Sequence, residues 1–195
     1  VIAMLQRLSA STLLLLLATV TIQGGELLDR ANETYNSGNT YEAIELYRKA
    51  ALAGENPALC YFNMANAWFQ LDSLPQSIVY YKACIGAAPA FFRGHLNLAV
   101  AYYTLEDLGA CIASARRALD LEPSNQKGLM ILAASYRKAG SYPEAIATFE
   151  QLVASYPEND EPYIALAELY RELEDMEQTI EWLQRYPIDG QNRAY

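Results

Sequence analysis

Two asparagines inside the apolar segment YFNMANAWF, residues Tyr61–Phe69, are the first side chains that could do chemistry. A carboxamide offers both a donor and an acceptor, as a peptide group does, so neighbouring amides can hold an extended backbone without reading its side chains. Tyr61, Met64, Ala65 and Trp68 fall at i, i+3, i+4 and i+7, the spacing of one helical face. Phe62, Asn63, Asn66 and Phe69 fall on a second face beside it. The first face reads as core and the second as a surface that offers hydrogen bonds and rings.

Little else in the chain points to chemistry. His95 is the single histidine, too few for most acid–base pairs, and G-x-S-x-G, H-E-x-x-H, P-loop and Gly-rich dinucleotide motifs are all missing. The sequence therefore reads as non-enzymatic, with no cofactor or metal signalled. Cys60, Cys84 and Cys111 lack C-x-x-C spacing, so they read as small core fillers, with a Cys84–Cys111 bridge as the alternative. A net charge of −9 disfavours a nucleic-acid partner, which needs cations to displace counterions. Between Glu158 and Glu181, nine acidic residues face Arg171 alone, and this run reads as a solvated helical face.

What positions the asparagines is a 34-residue ruler. Alanine recurs at Ala31, Ala65, Ala99, Ala133 and Ala167, and isoleucine at Ile44, Ile78, Ile112, Ile146 and Ile180. A small residue holds another column at Ala43, Ser77, Cys111, Ala145 and Thr179. Aromatics recur at Trp68, Tyr102, Tyr136 and Tyr170, with Thr34 in the first unit, and Pro89, Pro123 and Pro157 close three units. Each unit reads as two helices, in the second unit over Pro57 to Leu71 and Leu74 to Ala87, and no segment has the alternation of a strand. Small columns let helix backbones approach, and neighbouring pairs must stack to bury their apolar faces. His95 shares a column with Leu27, Tyr61, Leu129 and Tyr163, which makes it a core or edge side chain.

These columns closely resemble the tetratricopeptide repeat family, with a bulky, a small and an aromatic residue on each first helix, and small, aromatic, small and proline on each second. The resemblance covers Gly24 to about Tyr186 in five units, near 24–57, 58–91, 92–125, 126–159 and 160–186. It implies an all-α fold, a right-handed superhelical solenoid of five helix-turn-helix units over residues 25–186, whose first helices line a concave groove. It also implies protein–protein binding rather than catalysis. The segment from Asn56 to Ile85 is in addition similar to repeat proteins encoded beside von Willebrand-type partners in bacterial aerotolerance operons.

On the family's geometry, Asn32, Asn63, Asn66 and Asn97 form a ladder on the groove floor. Phe62, Phe69 and Tyr103 lie beside it, and Arg93, Lys127, Arg137 and Lys138 make one end positive. Some members clamp a partner's C-terminal carboxylate. Here Asn32, Asn63 and Arg93 match that pattern while Leu28 and Asn97 replace two of its cations, so carboxylate capture is not implied. The expected function is a scaffold or adaptor that holds a protein partner or extended peptide in its groove. The alternative is a glycan-binding scaffold for polysaccharide export, given tyrosines able to stack on sugars.

Both ends carry further expectations. Arg7 precedes an apolar run from Leu13 to Ile22, followed by Gly24 and Gly25, which reads over residues 1–24 as a signal peptide or N-terminal anchor. The protein is accordingly expected to be exported, periplasmic or envelope-associated, with a membrane met only through an uncleaved leader. In the last helix Met176, Ile180 and Leu183 form one apolar stripe, and Trp182 and Tyr186 a second edge. With only a tail over residues 187–195 to follow, this end is expected to self-associate or meet a partner, with Trp182 near the centre of the interface.

Overall fold

The computed structural model describes residues 25–186. The expected leader and tail lie outside them. Ten α-helices follow in order among these residues: α1 (Glu26–Asn36), α2 (Thr40–Leu52), α3 (Pro57–Gln70), α4 (Leu74–Ala87), α5 (Phe92–Thr104), α6 (Leu108–Leu121), α7 (Gln126–Lys138), α8 (Tyr142–Ser155), α9 (Glu161–Glu172) and α10 (Met176–Arg185). They pack pairwise as five helix-turn-helix units. Two compact units result, one ending at Phe91 with α1–α4 and one beginning at Phe92 with α5–α10.

Each pair turns at the same place. Gly38, Asp72, Glu106, Gly140 and Glu174, spaced 34 residues apart, all have positive φ, between 56° and 88°. In every pair the amide of this residue bonds the carbonyl three residues back, and the next amide bonds the carbonyl five back, as Asp72 to Phe69 and Ser73 to Trp68. This is the Schellman closure, which satisfies the orphan carbonyls of the first helix and reverses the chain. Glycine adopts it at no steric cost, whereas Glu106 and Glu174 hold it against the Cβ penalty. Of the second helices, α6 and α10 start on Asp107 and Asp175, whose side chains accept the amides of Ala110 and Gln178, and α4 and α8 carry proline in the first turn.

The repeat columns are the packed interior. All five alanines of the first-helix column are at most 3% exposed, and the small-residue column is at most 6% exposed throughout. Cys60, Cys84 and Cys111 are free and buried, and burial pushes the Cys60 and Cys84 thiols up to about 11. Tyr102 and Tyr136 pack onto the core of α5–α7.

Candidate functional site

In the first compact unit, α1 and α3 bring Asn32, Asn63 and Asn66 together around a cleft of about 400 Å³, with Tyr35, Asn36 and Tyr47. The amides do not simply face outward. The Asn32 Oδ1 accepts the Tyr47 hydroxyl at 2.8 Å and the Asn63 Nδ2 at 3.0 Å. One repeat on, the Asn66 Oδ1 accepts the Tyr81 hydroxyl at 2.6 Å. Tyr47 and Tyr81 are 1% and 2% exposed, so each buried hydroxyl needs an acceptor, and an asparagine of the neighbouring helix supplies it. Burial first, then the neighbouring Tyr35 and Cys60, pushes the Tyr47 phenol up to about 12, against a weaker opposite pull from the Asn63 amide.

The repeat register shows that asparagine and tyrosine belong together. In the third unit the same two positions hold Val100 and Ala115, and in the fourth Ala134 and Phe149. Both polar partners are absent in each case, so neither is left buried alone. Asn32 and Asn66 thus have an internal duty that the groove reading did not include.

The other expected groove residues separate. Phe62 is 9% exposed and packs on Tyr81 and Phe91, with ring centroids 6.0 and 5.2 Å away, so it is a core residue rather than a groove contact. Phe69 and Asn97 are half-buried, and Arg93 and Lys127 are exposed; none of these four lines either cleft.

Tyr103 lies in a second, larger cleft of about 1010 Å³ within the second compact unit. Its floor is apolar, with Met130, Ala134, Phe149 and Ile164 contributed mainly by α7 and α9. Arg137 and Lys138 do not leave it positive. Arg137 donates to Glu168 at 3.0 Å and also to Glu172, contacts that push its pKa up. Lys138 bonds Glu106 at 2.6 Å and sits 5.4 Å from the Tyr103 ring centroid; the same ion pair lowers the Glu106 pKa. Glu158, Asp160, Glu161, Glu168 and Glu172 all line this cleft. The late acidic run is thus a solvated face, as expected, with Glu158, Asp160, Glu161 and Glu172 all exposed, and part of that face also walls this cleft. The missed residues were within reach of the ruler: Met130, Ala134 and Lys138, advanced by one repeat, give Ile164, Glu168 and Glu172.

At the last pair, the two expected stripes exchange roles. Trp182 is 3% exposed, packed on Tyr163 at 6.1 Å with the Arg185 guanidinium 4.0 Å over its ring, so it cannot centre an interface. Tyr186 is half-buried and donates its hydroxyl to Asp160 at 3.0 Å. Met176, Ile180 and Leu183 are the exposed face, at 58%, 51% and 52%. The signal was Thr179: the small column marks the packed face, and Trp182 lies one turn from it.

Fold and clefts define a helical repeat protein of stacked hairpins. The sequence matches the tetratricopeptide repeat pattern over residues 96–160 and again over residues 136–195. The chain belongs to the tetratricopeptide repeat family. A crystal structure of MamA protein superposes with a TM-score of 0.78 at 16% identity, covering 84% of this chain and 89% of that one. MamA from Desulfovibrio magneticus RS-1 gives 0.76 at 12% identity, covering 84% and 92%. YrrB, described as a TPR protein with an unusual peptide-binding site, gives 0.73 at 16% identity, covering 82% of each chain. No curated protein sequence matches the chain.

Proposed function

We propose that the protein is a scaffold or adaptor, non-catalytic as its fold typically is, that holds a segment of a partner protein. One observation carries this reading: the cleft of about 1010 Å³ in the second compact unit, with an apolar floor between charged walls. Such a cleft can desolvate a few side chains while its polar rim fixes their orientation. The peptide-binding site described for YrrB supports the same class of ligand. Selection of random displayed peptides on the full chain tests it. Ile164 is 43% exposed, so Ile164→Trp fills the cleft without entering the core. Selected peptides should lose at least tenfold in affinity for that variant. Failure to select any, or indifference of all of them to the substitution, overturns the reading.

Two further parts of the proposal concern place and assembly. Export to the envelope rests on the leader pattern of residues 1–24, and a fusion of residues 1–30 to an export-dependent reporter tests it; an inactive, cytosolic fusion refutes it. Self-association at the last pair rests on Met176, Ile180 and Leu183 in place of Trp182. Ile180 stands in the column where Ile146 packs against the core shared with α9, so the face it offers suits the flank of another repeat. Light scattering of the wild type and of Ile180→Glu with Leu183→Glu decides this, and a wild type that is monomeric at all concentrations refutes it.

A further inference from the structure

The larger cleft is lined by more carboxylates than cations. Resting on the segment-binding reading, we propose that it selects a cationic segment with bulky apolar residues between its lysines or arginines, and that Glu158 and Glu161 read the charge.

The argument starts from which charges are already spoken for. Of the cleft's two cations, Arg137 is held by Glu168 and Glu172, and Lys138 by Glu106. Asp160 accepts the Tyr186 hydroxyl. Glu158 and Glu161 enter no ion pair among the described residues, although both line the cleft. Five carboxylates against two engaged cations leave the lining negative, so an anionic segment meets repulsion with no free cation among the described lining residues to offset it.

The chain itself shows that this wall accepts such a group. Arg137 reaches across from α7 and lies between Glu168 and Glu172 of α9, a guanidinium shared by two carboxylates one helical turn apart. The Tyr103 ring beneath Lys138 adds a π face that favours cations. Between the filled acidic end and the unfilled one lies Ile164, its exposed side chain positioned for an apolar contact. The α9 axis from Glu161 to Glu172 is about 16 Å long at the helical rise. An extended chain covers that distance in about five residues. Such a segment can place a basic residue at Glu158 and Glu161 and an apolar one over Ile164.

Three synthetic peptides, capped at both ends and identical in their leucine and phenylalanine positions, test this when their remaining positions are lysine, glutamine or glutamate. Binding to the full chain is measured by fluorescence polarisation. The lysine peptide should bind at least tenfold tighter than the glutamine peptide, and its advantage should shrink as salt rises. Glu158→Gln with Glu161→Gln should weaken the lysine peptide about fivefold and leave the glutamine peptide unchanged. Both residues are exposed, so an unaltered melting curve confirms that the variant is folded. A glutamate peptide that binds as tightly as the lysine one, or a lysine peptide indifferent to the double substitution and to salt, overturns the selectivity while segment binding stands. Should none of the three bind and no displayed peptide depend on Ile164, both the selectivity and the segment-binding reading fall.

Discussion

Replacing Asn32 by alanine should destabilise the fold mainly through a residue that is not changed. Tyr47 is 1% exposed and donates its hydroxyl to the Asn32 Oδ1 at 2.8 Å. Without that oxygen the hydroxyl stays buried and unpaired, which costs about 1–3 kcal/mol. Tyr47→Phe removes the donor instead and leaves Asn32 with its bond from Asn63, so its cost should be about 0.5–1.5 kcal/mol. In the Tyr47→Phe background the Asn32 substitution should cost roughly 1 kcal/mol less than in the wild type, because no hydroxyl remains to be stranded. The fourth unit already contains this double change, with Ala134 opposite Phe149. Urea unfolding of the four proteins gives the cycle. A pH series adds an independent check. The Tyr47 phenol titrates at about 12 instead of 10.0, so the folded state holds its proton more tightly. That contribution is complete below pH ~10 and fades as pH rises toward ~12, with about 1.4 kcal/mol lost by pH ~11. Tyr47→Phe should lose less stability over the same range. Additive costs in the cycle, together with parallel pH profiles, would refute an internal role for the amide.

The remaining predictions concern the turns and the last pair. Glu174 has φ 61° and no side-chain hydrogen bond or ion pair among the described residues, so Glu174→Gly should raise stability by about 0.5 kcal/mol in denaturant titration. Glu106→Gly relieves the same strain but gives up the Lys138 pair, and should come out near neutral, within about 0.5 kcal/mol. Trp182→Ala should cost about 3–5 kcal/mol in the same assay, since it empties a position packed against Tyr163. Ile180→Glu with Leu183→Glu should stay within about 1 kcal/mol of wild type, because both side chains are half exposed.

The sequence by itself determined the all-α class, the 34-residue register and the buried columns, because helix packing demands the same small residue wherever two backbones meet. Ala31 to Ala167 and Ala43 to Thr179 are legible for that reason. It also placed Asn32, Asn63 and Asn66 on one surface, where they share a cleft. Tertiary structure decided what those side chains do. The Asn32 oxygen meets a hydroxyl 15 residues away on the next helix, and Arg137 meets carboxylates 31 and 35 residues away. Such pairings depend on how neighbouring helices are rotated, and a rotation of one helical position exchanges the partner. On α10 the same ambiguity separates Trp182 from Ile180: both apolar stripes have helical spacing, and only the packing of α10 against α9 selects which one is covered. The periodicity of a helix defines its faces, but the neighbour it packs against decides which face becomes core and which is left to bind.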